Sequence, residues 1–277
     1  MVKPVATTGA SPQRDNQFYV ETITFLVEDT LFKVPRLYFE RNSGIFRDMF
    51  TVPPGDKPTE GSCDENPLAL KSIQKVDFQR LLRAMFPDLA FKATPMGSEE
   101  WISVLKLSTM WTFGELRQLA IKWLGRLNIN PVEKVMFARN YKVESLLVQG
   151  YKELIKRKEG PSVEEAKVLG YEAAIRLYEK RERHRGSESV SRSTQHRQEH
   201  RANVSLIADI EKTFKEELDS IKRDSRAIEE ASRPDNHGIE NNKPDNPSGS
   251  AAFMSDSDSD WELNNLDVTF TRKRART

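Results

Sequence analysis

The stretch "TITFLVEDTLFKVPRLYFERNSGIFRDMF", Thr22–Phe50, decides how this chain begins to fold. Ile23, Phe25 and Val27 alternate onto one side of an extended segment, and after the acidic pair Glu28 and Asp29 the residues "TLFKV" return as a second strand. That is a hairpin. Val34 precedes a proline and is held extended, whereas Pro35 has the fixed φ that suits the first turn of a helix. Strand therefore gives way to helix at Pro35. The helix is short because Asn42, Ser43 and Gly44 interrupt it, and Ser43 is placed to cap a second helix carrying Ile45, Phe46, Met49 and Phe50 on one side.

Beyond Pro53 and Pro54 a polar loop leads to "PLALKS", a short third strand. Then "KVDFQRLLRAMF" places Val76, Leu81, Leu82, Met85 and Phe86 near helical spacing. From Glu99 to Arg185 the pattern is helical almost throughout. Asn130, Pro131 and Glu133 mark one helix start, and Ser162 with Glu165 has the spacing of a capping box. The expected fold class is α+β, a small three-stranded sheet flanked by helices and followed by a helical extension and a largely disordered tail.

All four histidines, His184, His196, His200 and His237, fall at or beyond the end of the dense apolar pattern, and tyrosine stops at Tyr178. This shift puts a boundary near residue 185. Residues 186–202 read as a polar linker and 203–230 as a charged helix. In that helix Ile207, Phe214, Ile221 and Ile228 recur every seven residues, with Ile210 and Leu218 partly filling the seam. The helix either pairs as a coiled coil, docks on its own domain or frays. Residues 1–17 and 231–277 read as disordered arms.

Composition narrows the function. The chain of 277 residues carries 43 basic and 42 acidic side chains, a net +1 without a basic field, which argues against direct nucleic-acid binding. No run of about 20 apolar residues suggests a membrane span or a signal core, and the lone Cys63 offers neither a disulfide framework nor a zinc cluster. An intracellular protein is expected. With no histidine in the folded part, no glycine-rich phosphate cradle and acids placed where turns and helix starts want them, neither catalysis nor a cofactor is expected. Cys63 stands beside Asp64 and Glu65 and is set aside as a nucleophile. Trp101, Trp111 and Trp123 fit core positions better than a ligand pocket.

The order hairpin, two short helices, strand, helix and helix pair resembles the BTB/POZ family. The resemblance rests on the Thr22–Phe50 block with its Asn-Ser-x-x-Phe-x-x-Met-Phe ending, on "VDFQRLLRAMF", and on "LKLSTMWTFGELRQLAIKWL". It covers about residues 18–128, with 129–185 similar to the helical extension that follows many such domains. Pro35 before Arg36, where most members have histidine, is similar to fungal members. The resemblance implies a homodimer or oligomer built through the hairpin and first helix, and adaptor roles that include a cullin-type ubiquitin ligase scaffold or nuclear transcription-associated partners. The family's acid at the start of the first strand is here Thr22, and the apolar-x-Glu motif of cullin binders is here Phe86, Pro87 and Asp88.

The expected function is thus a non-enzymatic protein–protein interaction module. Leu37, Tyr38 and Phe39 cannot all face one core from a single short helix, so Arg36, Leu37, Tyr38, Phe39 and Phe86 are the candidate interface. In the tail, Ser255, Ser257 and Ser259 each precede an acid by three residues, a spacing suited to acid-directed kinases. Lys273, Arg274 and Arg276 form a candidate nuclear import signal, which leans the expected compartment from cytoplasm towards nucleus.

Overall fold

The alternating segment from Thr22 onwards is the middle of a small sheet. The computed structural model describes residues 13–15, 18–53, 58–87, 95–188 and 195–233. The tail candidates Ser255, Ser257, Ser259, Lys273, Arg274 and Arg276, Asp88, and most of the 1–17 arm lie outside the described residues. Strand β1 (Thr22–Val27) pairs antiparallel with β2 (Thr30–Pro35), from Thr22↔Pro35 to Val27↔Thr30, and parallel with β3 (Leu68–Ala69) through Phe25↔Leu68. The order is β2-β1-β3.

Both faces of β1 are covered. Ile23, Phe25 and Val27 enter the core, and Thr24 on the opposite face is equally buried because the loop after Pro58 folds over it. The Thr24 N–H donates to the Gly61 carbonyl at 2.9 Å and its hydroxyl to Asp64 at 3.3 Å. Gly61, at φ 82, comes so near that a Cβ there would stand 2.7 Å from Ile23 Cγ1.

Helices α1 (Arg36–Asn42) and α2 (Gly44–Thr51) follow as the sequence indicates. Ser43 joins them. Its hydroxyl accepts from the Phe46 N–H at 3.2 Å, capping α2, and donates to the Trp111 carbonyl at 2.5 Å. Trp111 closes α4 (Ser98–Met110), just before α5 (Gly114–Arg126), and Phe113 bridges back to Ser43. Helix α3 (Lys75–Met85) is clasped to α4 through Asp77, which accepts from Ser103 and from Lys106, each at 2.7 Å.

Aromatic rings fill the space between sheet and helices. Phe25 lies 4.9 Å from Phe39, 5.8 Å from Phe46 and 5.4 Å from Phe78, mostly in edge-on geometry. Trp111 and Phe113 close the cluster against Phe46. Trp101 is also buried, while Trp123 stacks on it from the surface.

The extension consists of α6 (Pro131–Asn140), α7 (Glu144–Lys156), α8 (Val163–Leu169) and α9 (Tyr171–Glu188). Both signalled caps form: Asn130 accepts from the Val132 N–H at 2.9 Å, and Ser162 and Glu165 cap each other.

The stretch 186–202 is less of a linker than its polarity suggests. Helix α9 runs three residues into it, and α10 (Gln195–Thr213) starts within it, where Gln195, Arg197, Gln198 and Glu199 are sound helix formers. After a turn at Phe214, α11 (Lys215–Ser232) completes the described chain. Leu206, Ile210, Phe214, Leu218 and Ile221 are buried in the same core as the sheet, so the charged helix docks on its own chain. Phe214 stacks on Tyr151 at 4.2 Å, and Glu217 accepts from Arg139 at 2.7 Å and from the Tyr151 hydroxyl at 2.6 Å. The end of α11 reaches α2: a Cβ on Gly44 would collide with the Ala231 carbonyl, and Arg47 donates to the Arg233 carbonyl at 3.0 Å. Among the described residues no helix is long and apolar enough to cross a membrane.

Candidate protein-docking surface

The three large residues of α1 separate as a helix requires. Phe39 is 0 % exposed and belongs to the aromatic core, so it leaves the candidate interface; Leu37 and Tyr38 are 45 % and 47 % exposed. Successive helical positions turn through about 100°, and only one of three neighbours can face the core. Tyr38 meets Phe86 edge-on at 4.9 Å, which joins the first helix to the end of α3 in one half-covered aromatic patch.

Arg36 stands where β2 becomes α1 and is engaged by its own chain. Its N–H donates to the Glu21 carbonyl at 2.9 Å, and its guanidinium lies 4.4 Å over the Phe50 ring and donates to the Phe50 carbonyl at 3.3 Å. The nearest acid is Glu40, one turn on, at 3.6 Å. This pins α1 to the end of α2.

Beside Arg36 opens a groove of about 910 Å³ between the residues that lead into β1, the end of α2 and the loop after Pro58. Tyr19, Val20, Met49, Phe50, Val52 and Leu68 supply its apolar walls, and Arg14, Glu21, Arg36 and Glu60 its charges. Val52 is 68 % exposed and Phe18, next in chain to the groove, 76 %. An isolated exposed apolar side chain is unremarkable, whereas a contiguous set makes the surface a candidate docking site.

Two parts of this surface escaped the sequence reading. The sequence places Ile45, Phe46, Met49 and Phe50 on one side of α2; in the structure Phe46 is buried while Ile45 and Met49 are exposed. Phe18, Tyr19 and Val20 precede the first strand, and their signal was three consecutive apolar residues directly after a polar arm.

The groups whose protonation the fold perturbs lie elsewhere and have structural partners. Burial first, then hydrogen bonding to Glu217, pushes the Tyr151 phenol well above the usual tyrosine range. Burial alone would raise Asp77, but hydrogen bonds from Lys106 and Ser103 outweigh it and hold the carboxyl below the usual range. The Arg157 guanidinium does the same for Glu165. Among the described residues no three His, Cys, Asp or Glu side chains are placed to hold a metal ion. Neither a family model nor a curated protein matches the sequence.

Proposed function

We propose that this protein is a non-enzymatic interaction module of the BTB/POZ kind, which associates with its own copies and tethers partner proteins. The observation that carries the reading is the apolar groove flanked by Tyr19, Val20, Met49 and Val52, with Leu37 and Tyr38 exposed nearby on α1. Further support comes from the order of elements, hairpin, two short helices, short strand, helix and helix pair, on which the family resemblance rests. Surfaces built from apolar and aromatic side chains with few charges are what protein interfaces use at their centres. The family resemblance implies a twin chain as the partner, and an isologous contact between twins uses the same patch on each copy.

The test is static light scattering of the full chain at micromolar concentration, beside Met49→Glu. Met49 is exposed on α2, so the substitution charges the groove and leaves the aromatic core in place. The wild type should weigh at least two chains and the variant less, with unchanged helix content. A wild type that weighs one chain overturns the reading.

A further inference from the structure

The loop that folds over Thr24 contains Glu60-Gly61-Ser62-Cys63-Asp64-Glu65, a serine with one acid two residues before it and acids two and three residues after it. An acid at the third position is the spacing that acid-directed kinases read, since a basic substrate cleft sets the register by charge complementarity. Among the described residues Thr112, Ser162, Thr213 and Ser232 also have an acid three residues on, but each is hidden or spent. Thr112 is 9 % exposed, Ser162 and Glu165 cap each other, and the Thr213 and Ser232 hydroxyls donate to the Asp209 and Glu229 carbonyls. Ser62 is exposed outside any helix or strand, and among the described residues its hydroxyl reaches only the Cys63 Sγ, at 4.0 Å.

Ser62 also lines the groove beside Arg36, and the charges of that groove balance among the described residues: Arg14 and Arg36 stand against Glu21 and Glu60. A phosphate carries about two negative charges at neutral pH, so one on Ser62 turns a neutral groove acidic. An isologous contact through this groove would place the phosphates of both copies in one interface, against the apolar walls of Tyr19, Val20 and Met49. Desolvation of the phosphates and repulsion between them both oppose that contact. Pairing covers Ser62, so a kinase reaches it in the unpaired chain, and every chain it modifies is withdrawn from pairing by mass action.

We infer that Ser62 is a phosphorylation site whose modification closes the groove to a twin chain. In the transfer the Ser62 Oγ bonds to the γ-phosphorus of a nucleoside triphosphate and the bond from that phosphorus to its β,γ-bridging oxygen breaks. The nucleoside diphosphate leaves, and the hydroxyl proton passes to the catalytic aspartate of the kinase. Glu65, exposed at the third position, is the acid the kinase reads. The modification site stands on the loop alone; its effect on association rests on the pairing reading above.

The test treats the full chain, carrying Ser255→Ala, Ser257→Ala and Ser259→Ala to silence the tail, with a purified acid-directed serine kinase and ATP. Mass spectrometry of proteolytic peptides should find one phosphate on Ser62, none on the Ser62→Ala chain, and incorporation at least fivefold slower on Glu65→Gln. No phosphate on Ser62, or a rate unchanged by Glu65→Gln, overturns the inference. Light scattering of the same samples should give the phosphorylated chain the mass of one chain, while kinase-treated Ser62→Ala keeps the mass of the untreated protein. A chain that is phosphorylated on Ser62 and still pairs as before overturns the closing of the groove. A mass of one chain before any kinase is added contradicts the pairing reading instead, and the phosphate on Ser62 then decides the modification site by itself.

Discussion

Ser43 shows how much one side chain can join. Its N-cap role is readable from Asn42-Ser43-Gly44, but its second bond, to the Trp111 carbonyl, crosses 68 residues of chain and has no local signal. Ser43→Ala removes both bonds from a fully buried site and should lower stability by about 2 kcal/mol in denaturant unfolding. Asp77 carries no sequence signal of its own within α3, yet it is the buried acceptor that clasps α3 to α4. Because its folded pKa is depressed, its contribution is complete above the unfolded value of about 4 and is lost as pH falls through the folded one. Asp77→Asn should therefore be less stable than wild type at neutral pH, with the gap closing below about pH 4; a gap independent of pH contradicts the clasp. The Tyr151 phenol should stay neutral where ordinary tyrosines ionise, so Tyr151→Phe should leave the absorbance change up to about pH 11 unaltered.

Among the elements, the first hairpin, α1, α2 and the capped helices of the extension were legible because their signals are local: alternation, a proline, caps. The charged stretch 203–230 was legible as helical, but not as two helices, α10 ending at Thr213 and α11 starting at Lys215, and not as a fixture. The heptad count picked out Ile207, Phe214, Ile221 and Ile228, whereas the buried stripe steps by four through Leu206, Ile210, Phe214 and Leu218 before reaching Ile221. Its target, α7 and Tyr151, is more than 50 residues away and leaves no mark on the helix itself. Each of those five side chains stabilises the fold by about 2 kcal/mol on burial, a sum comparable with the whole stability of a typical domain. A chain cut after Arg185 should accordingly lose its cooperative thermal transition and bind a hydrophobic dye, whereas unchanged melting would show that α10 and α11 are dispensable. Gly44→Ala should be milder: the added methyl meets the Ala231 carbonyl, and displacing the end of α11 should cost about 1–3 kcal/mol.

For the whole molecule, the apolar excess of Leu31–Phe50 divides between inside and outside. Phe39 and Phe46 hold the sheet to the helices, Leu37 and Tyr38 remain on the surface of α1, and Met49 joins Tyr19 and Val20 in walling the groove. The sequence signalled that at least one of Leu37, Tyr38 and Phe39 lies outside the core; it did not signal the groove, whose walls come from segments far apart in the chain. The most direct measurement is sedimentation equilibrium of the unaltered full chain across the micromolar range. If the groove pairs copies of this chain, the apparent mass rises with concentration to at least two chains; a mass of one chain at every concentration contradicts it.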